Sequence, residues 1–184
     1  PKFDNIIIVG GMANNILLHK GNNIGKSIKE EDCEKIIDEI FENSKNYSCT
    51  ITYPEDVVVG KNMNDIAKIK TLNDINDDDL ILDIGPRTIA QIKNIIKISK
   101  TILWNGPAGY FENPNFAIGS HEIANEIIRR NKDGLVYSAI GGGDTIAAIN
   151  QINGIQEFNF VSTAGGAFLE YLEGKELPGI KALN

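Results

Sequence analysis

The sequence predicts an α/β fold, with helices on both faces of a mainly parallel sheet in a three-layer α/β/α sandwich. Three observations predict it. Short β-branched runs alternate with helix-period segments along the 184 residues. The strongest of these runs are apolar throughout, as in strands covered on both faces. Four of them end on turns that carry glycine just before a helix is due to begin.

Asn5–Val9 (NIIIV) reads as a buried parallel strand ending at Gly10-Gly11, and Asn14–Lys20 as a short helix. Glu30–Asn43 is the next helix, with Ile36, Ile37, Ile40 and Phe41 on one face and Glu30, Glu31 and Asp32 in an acidic first turn. Cys49–Thr52 and Val57–Val59 are short strands separated by Pro54, and Asn73–Asp79 (NDINDDD) is a polar loop. Strand and helix then alternate: Leu80–Ile84, Thr88–Ser99, Thr101–Trp104, His121–Arg130, Leu135–Ile140, Thr145–Ile152, Phe158–Ser162 and Ala167–Leu172. No repeat, low-complexity tract or linker interrupts the series, so one compact domain over residues 1–184 is expected.

With 42% hydrophobic and 23% charged residues the chain can bury a core, which excludes a disordered chain. Eighteen Lys and Arg against 25 Asp and Glu leave a net charge of −7. No basic stripe offsets it, and the only adjacent arginines are Arg129 and Arg130. A nucleic-acid partner is therefore not expected. Cys33 and Cys49 are too few for a disulfide framework and read as reduced thiols, which points to the cytoplasm. No apolar run approaches the roughly 18–20 residues of a membrane span, and no signal peptide is visible, so no membrane partner is expected.

In such sheets ligands bind where strand ends feed helix starts. The unusual residues fall there: Gly10-Gly11, Asn105-Gly106-Pro107, Gly141–Asp144 and Gly165-Gly166. Glycine permits close backbone approach, and free amides at a helix start attract anions. One such turn is ordinary fold geometry; four on one edge point to a phosphate-bearing ligand. Asp144 has two readings, a helix cap or a carboxylate that holds Mg²⁺ beside phosphates. Tyr110 and Phe111 could stack on a base or pack in the core. Gly21–Ser27 (GNNIGKS) imitates a phosphate-binding loop, but its glycines are one residue too close and it follows a helix, so Lys26 reads as a surface residue. Gly141-Gly142-Gly143 lacks the third glycine spacing of a dinucleotide fingerprint. His19 and His121 have no ligand-spaced partner.

Taken together, VGGMANNILL (Val9–Leu18), NIGKSIKEED (Asn23–Asp32), LDIGPRTI (Leu82–Ile89), WNGPAGYFE (Trp104–Glu112), IGGGDTIAA (Ile140–Ala148) and the closing Ser162–Leu183 resemble phosphoglycerate kinase, specifically its C-terminal, nucleotide-binding half. The stretches occur in the family's order and span nearly the whole chain. The resemblance implies a Rossmann-like fold and a site for ADP or ATP with Mg²⁺. It implies that Gly10 and Gly11 wall the adenine pocket, with Leu82, Pro107 and Tyr110 as further apolar contacts and Glu112 on the ribose. It places Asn105 and Gly106 at the phosphates, and Gly141, Gly142, Gly143 and Thr145 at the helix start that receives them. Asp144 is the implied Mg²⁺ contact. Gly165 and Gly166, with Gly143, are the implied catalytic group that stabilises the transferring phosphoryl.

The family often carries a third glycine where this chain has Val9 and Ala164, and a small hydroxyl residue where it has Phe168. Family members are roughly twice this length, a two-domain size. Their N-terminal half binds 3-phosphoglycerate through a basic patch, and a lysine-bearing GGAKV-type loop reaches the phosphates; no such string occurs here. The resemblance therefore implies a monomeric fragment that binds nucleotide without turnover, meeting 3-phosphoglycerate or 1,3-bisphosphoglycerate only through the other half. Two further classes fit the sheet less well. A nicotinamide-dependent oxidoreductase should show the dinucleotide turn, and a non-catalytic interaction domain should have lost the glycines or Asp144.

Overall fold

The structure, a computed structural model, describes residues 3–182. They fall into two units. One comprises the chain to Ile98 with Pro107–Ile123, the other Ser99–Gly106 with the chain from Ala124.

The first unit opens with β1 (Asn5–Ile7), α1 (Gly10–His19), α2 (Glu34–Asn46) and β2 (Thr50–Thr52). β1 and β2 pair in parallel, Ile6 opposite Ile51. Ile8, Ala13 and Ile16 bury against Phe41, Ile51 and Tyr53, holding both helices to the pair. α1 starts at Gly10, four residues before the expected Asn14, because the chain turns into the helix directly after Val9. Gly10 makes that turn at φ +63, a region side chains avoid. α2 starts at Glu34 rather than Glu30, since Asp32 takes φ +56 and interrupts a helical run there. Glu30, Glu31 and Asp32, expected in its first turn, precede the helix, and Glu34 is the acidic residue found there instead. Its buried line is Ile37, with Phe41 half-buried one turn on; Ile36 and Ile40, one step around the helix, are exposed.

β3 (Asp56–Gly60) then lies between β4 (Lys68–Thr71) and β5 (Leu80–Ile84), antiparallel to both. These two pairings are the antiparallel part of the mainly parallel arrangement expected. The short connection from Gly60 to Lys68 can close a hairpin, whereas parallel strands require a long crossover. β3 is buried at every residue. Val57 and Val59 face a cluster with Leu17, Ile24 and Ile75, and Val58 packs with Leu82 and Phe116. The Asn23–Ser27 loop is sewn onto the segment before β5. Lys26 N–H donates to Asp79 O at 2.7 Å, Asn23 Nδ2 to Ile75 O at 3.1 Å, and Ile81 N–H to Ser27 Oγ at 2.8 Å. The phosphate-loop imitation is thus a structural clasp with Lys26 exposed.

α3 (Pro86–Ile98) follows β5 and is capped from a distance. The buried Asp56 carboxylate accepts the backbone N–H groups of Arg87 (3.0 Å) and Thr88 (2.8 Å). A second buried carboxylate, Asp79, accepts from Lys61 (2.8 Å), Lys70 (2.6 Å) and the N–H of Asn76 (2.7 Å). These partners outweigh its burial and hold its pKa down at about 2.

The second unit is built on a parallel sheet of β6 (Thr101–Asn105), β7 (Tyr137–Gly141) and β8 (Phe160–Ser162), with β7 central. α4 (Ile118–Lys132) gives this unit its later turns. α5 (Gly143–Asn150), α6 (Gly166–Glu173) and the short α7 (Pro178–Lys181) complete it. Register places Asn105 opposite Gly141 and Gly141 opposite Ser162, so the three strands end level. The α/β class is as expected, and three of the five strand pairings among the described residues are parallel.

Candidate functional site

The expected site residues divide between the two units. In the first, Gly10 packs against Pro107: a Cβ added at Gly10 would stand 3.0 Å from the Pro107 carbonyl oxygen. A Cβ on Gly11 would press on the Ile28 side chain at 2.9 Å. Leu82 is buried in β5 with Val58 and Phe116, and Tyr110 packs against that cluster while its N–H donates to Leu82 O at 2.7 Å. Phe111 is buried, which favours packing over stacking on a ligand. Glu112, two residues beyond Tyr110, is exposed.

In the second unit the level strand ends bring the rest together. Asn105 is exposed at the end of β6, and its Oδ1 lies over Gly142, where a Cβ would come within 2.8 Å. Gly106 turns at φ +90; its N–H donates to Thr145 Oγ1 at 2.6 Å and its carbonyl accepts from Trp104 Nε1 at 2.7 Å. The Thr145 hydroxyl thus ties the β6 turn to α5, and the residue is fully buried. Gly141 is glycine for a packing reason, because a Cβ there would meet the Phe168 ring at 2.5 Å.

α5 begins at Gly143 with Gly142 as its N-cap (φ 89), and no side chain caps it. Asp144 lies inside the first turn and is exposed, so its cap reading is closed. α6 begins the same way, with Gly165 (φ 54) as an N-cap without a side-chain partner. A Cβ on Gly143, Gly165 or Gly166 would meet nothing within 4 Å. Both helix starts therefore present backbone amides beside open space, the arrangement that suits an anionic group.

The phosphoglycerate kinase family model matches residues 1–175. The chain belongs to the phosphoglycerate kinase family. It is 45% identical over 184 residues to the phosphoglycerate kinase of Zymomonas mobilis, covering 99% of this chain and 46% of that protein. With the Novosphingobium aromaticivorans enzyme the identity is 42%, over 99% of this chain and 47% of the relative. The solved phosphoglycerate kinase of Coxiella burnetii superposes with a TM-score of 0.90 at 37% identity, covering 98% of this chain and 46% of that one. The chain spans about half the length of the relatives it matches.

Sequence reasoning missed one feature beside the phosphoglycerate kinase motif WNGPAGYFE. Asp83 of β5 is buried, its carboxylate accepting the N–H of Ile84 (2.8 Å) and of Gly119 (2.7 Å). Burial pushes its pKa up to about 7, although both hydrogen bonds pull the other way. The signal in the sequence is a lone carboxylate inside the apolar strand LILDI.

Proposed function

We propose that residues 1–184 form the nucleotide-binding, C-terminal domain of a two-domain phosphoglycerate kinase and bind ADP or ATP with Mg²⁺. The observation that carries this is the pair of uncapped, glycine-started helices, α5 and α6, with open space over Gly143, Gly165 and Gly166.

Each residue then has work to do. Gly10, Gly11, Leu82, Pro107 and Tyr110 form the apolar adenine wall, and Glu112 takes the ribose. The Asn105 side chain and the amides of Gly142, Gly143 and Thr145 meet the phosphates. Gly106 and Gly141 shape the turns that hold Asn105 and α5 in place. Asp144 fits a Mg²⁺ site of the kind that takes one carboxylate and fills its remaining positions with phosphate oxygens and water. Mg²⁺, when bound there, neutralises charge on the phosphates. Gly165 and Gly166, with Gly143, direct amides at the moving phosphoryl group, where positioning and charge stabilisation supply the catalysis.

In the complete enzyme the phosphoryl passes between the acyl phosphate of 1,3-bisphosphoglycerate and ADP, giving 3-phosphoglycerate and ATP. The cations that would hold the glycerate belong to the other half, so this chain alone is a monomeric nucleotide binder without turnover. Its acidic balance argues against a nucleic-acid partner, and the free thiols of Cys33 and Cys49 suit the cytoplasm. Calorimetric titration with ADP and Mg²⁺ tests the reading. Saturable binding that NAD does not reproduce and that Asp144→Ala weakens is the expected result; no heat at millimolar ADP overturns it.

A further inference from the structure

Two backbone segments converge on Asp83, one at Gly109-Tyr110 and one at Gly119. The Tyr110 N–H donates to the carbonyl of the preceding residue, Leu82, at 2.7 Å. The Gly119 N–H, in the first turn of α4, donates to Asp83 Oδ2 at 2.7 Å. Gly109 lies so close that an added Cβ would stand 2.6 Å from Asp83 Cγ and 2.5 Å from the carbonyl oxygens of Leu82 and Phe116. A Cβ on Gly119 would also collide with Asp83 Oδ1. Only glycine fits on either side of this carboxylate. The base of the loop is closed by Ala108 N–H donating to Ser120 Oγ at 2.8 Å. The segment from Ala108 to Ser120 is therefore wrapped around one buried side chain.

We propose that Asp83 is a positioning residue, holding the Pro107–Glu112 segment in the conformation that receives the adenosine portion of the nucleotide. This rests on the nucleotide reading above. An apolar residue could fill the same space, but it could not accept the Ile84 and Gly119 N–H groups at two separate oxygens. Among the described residues the carboxylate's hydrogen bonds are to those backbone groups alone. The ionisable residues on the elements around it have other places. Asp56 on β3 caps α3, Glu122 on α4 pairs with Lys93 at 2.7 Å, Glu112 and Tyr110 lie on the wrapped segment itself, and His121 follows Ser120 on α4. A buried carboxylate with no cation lowers stability once ionised, so packing alone gives it no purpose. Protonation turns one of its two acceptors into a donor, which weakens its hold on the loop.

Calorimetry on the 184-residue chain, with adenosine and with ADP–Mg²⁺, tests this. Adenosine carries no phosphate, so its affinity reads the loop without a titrating ligand. Asp83→Asn keeps the size and removes one acceptor. The expected result is adenosine and ADP affinity weaker by about ten- to a hundredfold at a temperature where circular dichroism shows both proteins folded. The unaltered chain should bind adenosine more tightly as pH rises from 6 to 8, and Asp83→Asn should show a flat profile. Asp144→Ala should lose ADP–Mg²⁺ affinity and keep that for adenosine. Unchanged affinity in Asp83→Asn overturns the inference and leaves the nucleotide reading standing. If Asp83→Asn does not fold, a flat adenosine profile for the unaltered chain overturns the inference by itself. No ADP binding by the unaltered chain overturns the nucleotide reading, and the inference with it.

Discussion

The hydroxyl of Thr88 stands 2.7 Å from the carboxylate of Asp56, 32 residues away in sequence. Thr88 Oγ1 also accepts the backbone N–H groups of Glu55 (3.0 Å) and Asp56 (3.2 Å), so strand β3 and the first turn of α3 are joined through one buried polar knot. Gly85 completes it, since a Cβ there would collide with the Asp56 carboxylate.

Asp56→Ala is expected to destabilise the chain by about 1–3 kcal/mol, the penalty for buried donors left without an acceptor. Thr88→Val should fall in the same range, and the double variant should lose less than the sum, because both belong to one network. Urea denaturation of the four proteins checks this.

Asp83 predicts an unusual pH dependence of stability. Its folded pKa is about 7, against 3.8 for the free side chain, so the folded state holds the proton more tightly. Its contribution is most favourable below pH 4 and is lost as pH rises to about 7, a change on the order of 4 kcal/mol. Asp83→Asn should remove that downward slope. Denaturation midpoints between pH 4 and 8 measure it.

Asp79 acts with the opposite sign. Its folded pKa lies below the free value, at about 2, so its stabilisation is present above pH 4 and is lost as pH falls toward 2. Asp79→Asn should flatten the stability profile between pH 2 and 4 while leaving the pH 4–7 slope unchanged. Thermal melts across pH 2–5 separate the two carboxylates.

Gly141→Ala is expected to lose about 1–3 kcal/mol, because the new methyl group enters the Phe168 ring. Phe168→Ala in the same chain should recover part of that loss. A double-variant cycle by thermal melting reads the coupling.

The strand ends were legible because the chemistry of the motif is local. ILWN and SAIG end in residues that cannot continue a strand comfortably, and the register then places Asn105, Gly141 and Ser162 side by side. β4 was not legible: KIKT is an edge strand with lysines around a lone, largely exposed Ile69, so it lacks the apolar run that marked the others. The Asp144 ambiguity needed backbone geometry, since only the position of Gly142 as N-cap removes the cap reading. Asp83 and Asp56 were harder to place for another reason. A lone carboxylate in LILDI hints that Asp83 is buried, but the chain around neither residue shows the distant groups that hold it, since Gly119 and Thr88 lie more than 30 residues away.

The clasp between Asn23–Ser27 and Ile75–Ile81 has a kinetic meaning. It fastens positions 52 and 54 residues apart, enclosing α2, β2, β3 and β4 in one chain loop. Closing so long a loop demands chain entropy before any contact rewards it. The β3–β4 hairpin forms between near neighbours and shortens the span that must still be searched. Residues that stabilise the hairpin should therefore set the folding rate, and Asn23 and Ser27 should act mainly on unfolding.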